Sequence, residues 1–564
     1  MARTISIGAQ GFEDIRTHGD FYVDKTSFVR DWWLTRDQVT LVCRPRRFGK
    51  TLNLDTVRCF LSTEFAGRGE ELFSGLEVWS NPDMRALQGT VPVIMLSLAA
   101  VKQGDLPSMM SRINLLVCSL YGDHRYLIGW EGLTDEDRAF IERVNYDMDA
   151  QTCARSLNKL CSMLHRFHGT KPVVLLDEYD APMQEAWAGG FWDEASHFMR
   201  DLMNSTFKTN PALGRGLITG VTRVSRESIF SDLNNLRVVT ASTSAYQTCF
   251  GFTQEEVDAA LKEYGLSCRR EGVRDWYDGF TFGGVPDIYN PWSITQFIKN
   301  DGIIDTYWAN TSGNGLVSSV IRRGDEYLKR DFETLLAGGE VEKLIDEQVV
   351  FSELYRRPNA VWALLLAAGY VTSPGPVPAD VVHTPRRLAL TNKEVASTFD
   401  RMVEGWFADA ETRYDQFTRA ILTGDARTAT RYLADVTRAC ISSFDGGNRP
   451  AESEPERFYH GLVLGMLVHL RGRYSVESNR ESGYGRYDVA LVPTDGSAGS
   501  DPAVVLEFKV FDEYDELTLA DTVARAHQQI EERGYVAGLV ERGISPERIH
   551  IYGVAFRGKE VLVG

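Results

Sequence analysis

The chain has 564 residues and a formal net charge of −17, with 43% hydrophobic and 25% charged residues, an ordinary balance for globular protein with material for roughly two to four domains. That charge argues against broad nonspecific affinity for nucleic acid, though it leaves room for a local basic groove. No basic segment with a long apolar core opens the sequence, and the most apolar stretch, residues 361–371, is too short to span a bilayer, so no membrane association and a cytoplasmic location are expected.

The first informative element is Val39-Thr40-Leu41-Val42-Cys43-Arg44-Pro45-Arg46-Arg47-Phe48-Gly49-Lys50-Thr51, an apolar strand that runs into a phosphate-sized loop and then a helix. Backbone N–H groups of such a loop can surround phosphate oxygens, Lys50 can reach the outer phosphates of a triphosphate, and the Thr51 hydroxyl can ligate Mg²⁺. Arg46, Arg47, Phe48 and Gly49 complete the expected ATP-binding loop. Arg44, Arg46 and Arg47 are assigned to the nucleotide and not to a DNA-binding patch. The usual glycine at position 44 is replaced by Arg44-Pro45, so the loop must enter differently. Leu54, Val57, Leu61 and Phe65 then recur at helical spacing.

Further along, Val173-Val174-Leu175-Leu176 reads as a strand buried on both faces that ends in Asp177-Glu178. Asp177 would hold Mg²⁺ through water and Glu178 would polarise the attacking water. A third apolar strand, Gly216–Val221, ends in hydroxyls and cations. Thr219 could sense the γ-phosphate, and Arg223 or Arg226 could neutralise charge on it, in cis or across the subunit boundary of a homo-oligomer; pairing with surface carboxylates is the alternative for both. Strand runs at 39–42, 91–98, 173–176 and 216–221 alternating with helical stretches imply a parallel α/β sheet over residues 1–255.

Thr253-Gln254-Glu255-Glu256 is a helix start with an N-cap and early acids, and residues 256–445 read as a mainly helical lid or adaptor. Its tryptophans, Trp276, Trp292 and Trp308, are expected to serve packing more than base stacking. The phrases Phe21-Tyr22-Val23-Asp24-Lys25-Thr26, Arg44 to Thr51, Leu176-Asp177-Glu178-Tyr179-Asp180, Trp276-Tyr277-Asp278-Gly279-Phe280, Tyr289-Asn290-Pro291-Trp292-Ser293 and Asn392-Lys393-Glu394-Val395 together resemble the bacterial AAA-ATPase-like proteins that carry a C-terminal PD-(D/E)XK nuclease-superfamily domain. The resemblance covers essentially the whole chain. It implies that the Arg-Pro-Arg-Arg-Phe-Gly-Lys form of the loop is a family trait.

Asp445-Gly446-Gly447-Asn448-Arg449-Pro450 is a breaker-rich linker, and residues 446–564 form the expected nuclease-like domain. Within it, Arg486–Val492 and Ala503–Val510 read as two hairpin strands around a turn-rich insert. Side chains alternate across a strand, so Glu507 and Lys509 share a face roughly 7 Å apart, and Asp488 on the partner strand can join them. Asp488 and Glu507 would bind the metal that phosphodiester cleavage needs, and Lys509 would position the nucleophile. An exposed strand ion pair is the bland alternative. A helix from Glu456 before the hairpin and one through Gln529 after it complete an α-β-β-β-α-β order. The resemblance implies accessory site roles for Glu456 and Gln529.

The eight cysteines (Cys43, Cys59, Cys118, Cys153, Cys161, Cys249, Cys268 and Cys440) are scattered without Cys-x-x-Cys or His-Glu-x-x-His patterns, which argues against structural zinc or a disulfide framework. Two function classes follow. In one, ATP binding and hydrolysis control a Mg²⁺-dependent nuclease acting on DNA or RNA. In the other, a nucleotide-dependent binding or signalling module carries an inactive nuclease-like domain.

Overall fold

The computed structural model describes residues 2–223, 229–230, 233–308, 326–336, 338–347, 358–378, 384–399, 411–442, 473–478, 489–494, 501–512, 516–557 and 560–564, together with residues 317, 320–321, 463, 467, 470, 481–482 and 485–486. The chain divides into two compact units, Met1–Thr398 and Phe399–Gly564.

In the first unit, β1 (Val39–Cys43), β2 (Val93–Ser97), β3 (Val173–Asp177), β4 (Arg215–Gly220) and β5 (Leu236–Val239) form a parallel sheet in the order β2-β3-β4-β1-β5. β1 and β3 are buried at every residue, as expected of strands covered by helices on both faces. Val42 lies beside Thr219 and Leu176 beside Ile218, which brings the C-terminal ends of β1, β4 and β3 together. In open parallel sheets that edge is where ligands bind. The loop after β1 enters the helix Lys50–Leu61, whose Leu54, Val57 and Leu61 are buried. Phe65 does not continue this helix: Ser62 turns extended, and Phe65 is buried from a short 3₁₀ turn instead.

The helix Gln254–Glu263 begins at the expected cap, where Thr253 and Glu256 exchange side chain–backbone hydrogen bonds. Glu256 also takes the Lys25 ammonium at 2.6 Å, so this helix start is tied to the N-terminal region. The region that follows is mainly helical among the described residues, as expected, with short strands between its helices. It carries two small antiparallel sheets, one of β6 (Phe252–Thr253), β7 (Phe280–Phe282) and β8 (Val285–Tyr289), the other of β9 (Val341–Lys343), β10 (Val371–Thr372) and β11 (Arg386–Leu390). The apolar stretch at 361–371 is the helix Pro358–Ala368 running into β10. Among the described residues no helix is long and apolar enough to cross a membrane.

The second unit is built on β12 (Tyr474–Ser478), β15 (Val489–Pro493), β16 (Ala503–Val510), β17 (Ile549–Arg557) and β18 (Glu560–Val563), in that order across the sheet, with a two-stranded ribbon of β13 (Glu481–Ser482) and β14 (Gly485–Arg486) beside it in sequence. β15 and β16 pair antiparallel, Val489 opposite Leu506, as the hairpin reading requires. β16 and β17 are parallel, so the helix Leu519–Arg533 between them forms a crossover. Helices Glu411–Thr423 and Ala426–Ser442 send Phe417, Ile421 and Leu433 into this unit's core, against Leu506, Phe508 and Val554. Those helices therefore fall within the unit that begins at Phe399; the expected linker at 445–450 lies outside the described residues.

Candidate functional site

At the C-terminal edge of the first sheet, Asp177 ends β3 and is buried. Its two carboxylate oxygens accept separate hydroxyls: Thr51 Oγ1 donates to Oδ2 at 2.8 Å and Thr219 Oγ1 to Oδ1 at 2.6 Å. Three of the expected site residues, from the loop helix, β3 and β4, therefore meet on one carboxylate. A threonine hydroxyl and an aspartate in contact beside a phosphate-binding loop form the oxygen pair that a hard cation such as Mg²⁺ accepts, so the residues fit the metal.

Gly49 takes φ 77°, which glycine adopts at little cost, and turns the chain into the helix. Lys50 lies inside the loop, its Nζ donating to the main-chain oxygens of Arg44 at 3.1 Å and Pro45 at 2.9 Å. Burial pulls its ammonium below the ordinary lysine range, opposed first by the Glu178 charge and then by Asp177 and Asp180. Glu178, the first residue after β3, is half-buried with a left-handed φ of 49°. Such strain in a non-glycine residue persists where the surroundings over-determine it, and it concentrates at functional sites. Asp180, next along, is structural: it accepts the Thr222 N–H at 2.9 Å and its hydroxyl at 2.7 Å, which ties the exits of β3 and β4 together.

The arginines of the loop separate into different roles. Arg44 does not face a nucleotide. It is fully buried, donates to the carbonyl oxygens of Cys43 and Thr240 at 3.0 and 2.7 Å, and stands 4.6 Å over the Phe282 ring. Burial pulls its guanidinium down to about 10. It anchors the turn that the missing glycine would otherwise make. Arg46 is half-buried and donates to Gln184 Oε1 at 3.0 Å, whereas exposed Arg47 lies 4.3 Å over the Trp292 ring. The Phe48 side chain is buried with Phe280, Phe282 and Ile288, so only its backbone is available to a phosphate. Arg223, half-buried, follows β4; Arg226 lies outside the described residues.

In the second unit the alternation along β16 sends Val504, Leu506 and Phe508 into one core and Ala503 and Val505 into another, with Ile530 and Tyr535. Glu507 and Lys509 therefore share the face covered by the helix Leu519–Arg533. Lys509 Nζ donates to Glu507 Oε1 at 3.1 Å, and Gln529 Nε2 donates to the same oxygen. Glu507 is 1% exposed, which removes the exposed ion pair as an explanation. A carboxylate buried at such cost, held by a cation and an amide, marks a candidate functional site. Asp488 and Glu456 lie outside the described residues. Among the described residues no cluster of three or more His, Cys, Asp or Glu is poised to hold a metal ion.

A parallel sheet with a glycine-lysine-threonine loop after its first strand and a strand-end aspartate facing that threonine defines a P-loop NTPase; the Glu507–Lys509 strand with its crossover helix defines a restriction-endonuclease-like fold. Residues 6–230 match the family described as predicted AAA-ATPase, and residues 454–564 match the PD-(D/E)XK nuclease superfamily. The chain thus carries an AAA-ATPase-like domain followed by a PD-(D/E)XK nuclease-superfamily domain. A relative described as an uncharacterized protein in the vnfD 5′ region, from Azotobacter chroococcum mcd 1, is 26% identical over 576 residues, spanning 100% of this chain and 98% of the relative.

Proposed function

We propose that the first unit binds and hydrolyses ATP with Mg²⁺, and that its nucleotide state controls a Mg²⁺-dependent nuclease in the second unit. The observation that carries this reading is the Asp177 carboxylate receiving hydroxyls from both Thr51 and Thr219. In this reading the loop amides from Arg46 to Thr51 and the Lys50 ammonium surround the phosphates, and Thr51 and Asp177 hold the metal. Glu178 orients the attacking water. Thr219 reports the γ-phosphate through the carboxylate it shares with Thr51, and Arg223 neutralises charge from its own chain or from a neighbouring copy in a homo-oligomer.

In the nuclease, Glu507 and Asp488 hold a divalent metal, Lys509 positions the nucleophile at the phosphodiester, and Gln529 fixes the Glu507 carboxylate. The metal supplies a water of lowered pKa and charge compensation at the phosphate. DNA is the first substrate to test and RNA the second. The free cysteines among the described residues suit a reducing, cytoplasmic setting.

The deciding measurement is Mg²⁺-dependent cleavage of defined DNA and RNA with and without ATP, by wild type, Lys50→Ala and Glu507→Ala. Wild type should cleave in a nucleotide-dependent way, Lys50→Ala should lose that dependence, and Glu507→Ala should not cleave. Cleavage by Lys50→Ala equal to wild type under ATP ends the control proposal. ATP binding with no cleavage by any form favours the binding or signalling module.

A further inference from the structure

Arg47 holds φ 66°, a left-handed conformation that a side-chain-bearing residue adopts only when its surroundings enforce it. The enforcement comes from far along the chain. Asn290 Nδ2 and Trp308 Nε1 both donate to the main-chain oxygen of Arg46, at 3.3 and 3.2 Å, and both residues are buried. A trans peptide is planar with its C=O and N–H opposed, so pinning the Arg46 oxygen on one side turns the Arg47 N–H to the other. The two donors are themselves fixed. Asn290 Oδ1 accepts the Trp292 N–H at 2.9 Å, which orients its amide, while Glu394 accepts the Trp308 N–H at 2.6 Å and the Ser293 hydroxyl at 2.7 Å.

We propose that Asn290 and Trp308 are positioning residues for phosphate binding: by holding the Arg46 oxygen they aim the Arg47 amide into the nucleotide loop. This rests on the reading that residues 44–51 bind ATP. Neither residue belongs to the stretch 6–230 that matches the ATPase family, so the loop is completed by a segment beyond it. Positive-φ geometry that glycine would supply by itself is imposed at Arg47 by two hydrogen bonds and by the stack on Trp292.

The test uses the full chain with Trp308→Phe, which keeps a ring against Tyr370 and removes the indole N–H, and Asn290→Asp, which keeps the helix cap and replaces the donor by an acceptor. Titration calorimetry with MgATP should show Kd raised about threefold to tenfold for each, the range one hydrogen bond commands, with stoichiometry unchanged. A merely structural role would lower the stoichiometry through an inactive fraction and leave Kd alone; that result overturns the proposal, as does binding by both variants equal to wild type. Should Asn290→Asp melt below assay temperature, Trp308→Phe decides alone. Absence of binding by wild type sinks the ATP reading itself, an outcome distinct from the variants' behaviour.

Discussion

At the scale of single residues, the chemistry follows from which polar groups the fold takes out of water. Asp177 and Glu507 are both 1% exposed, and each is compensated by two donors, hydroxyls on Asp177 and an ammonium and an amide on Glu507. Glu394 is buried as deeply, and burial pushes its carboxyl up to about 7 from 4.5, against the Trp308 N–H and Ser293 hydroxyl that donate to it. A carboxyl whose folded pKa is raised binds its proton more tightly folded than unfolded. Its contribution favours folding most below the unfolded value and is lost as pH rises from about 4.5 through about 7. Glu394→Gln is neutral throughout, so its stability relative to wild type should rise across that window and level off above it. Urea denaturation at a series of pH values measures this; a difference independent of pH would show that Glu394 does not titrate abnormally. The placing together of Lys50, Thr51, Asp177 and Glu178 was legible because residue type and place at a strand or loop end coincide. The role of Arg44 was not, because a cation beside a phosphate loop and a cation buried under it have the same sequence.

At the scale of elements, β1, β3 and β4 lie where continuous apolar runs place them, since strands covered on both faces must be apolar throughout. β5, Leu236–Val239, was not foreseen: it is an edge strand with only Val239 buried, so its pattern carries little signal. The nucleotide loop behaves as part of two layers. Its Phe48 ring packs edge-on against Phe280 at 4.7 Å and Phe282 at 5.4 Å, which binds the loop to the small sheet that follows. Phe48→Ala should therefore cost about 3–5 kcal/mol. Denaturant unfolding of the full chain measures the loss, and a cost below about 1 kcal/mol would mean that the cavity collapses without consequence for the loop.

At the scale of the molecule, the two units each enclose a hydrophobic core of their own, and the helices at 411–442 belong to the second. Fragments 1–398 and 399–564 should each express as soluble, cooperatively unfolding proteins. A fragment 446–564, cut at the breaker-rich linker, loses Phe417, Ile421 and Leu433 from its core and should lack a sharp thermal transition. Sharp melting of 446–564 equal to that of 399–564 would place those helices outside the folding unit.

Sequence alone determined the fold class and the candidate sites. Strand runs, the glycine-lysine-threonine loop, the strand-end carboxylates and the Glu507-x-Lys509 alternation are local patterns whose meaning is set by backbone geometry within a few residues. Tertiary structure alone decided which arginine is buried and which is exposed, where one unit ends and the next begins, and that Asn290 and Trp308 reach back to the Arg46 carbonyl. Those outcomes depend on contacts between segments hundreds of residues apart, where burial and hydrogen-bond satisfaction select among placements that the local pattern treats alike.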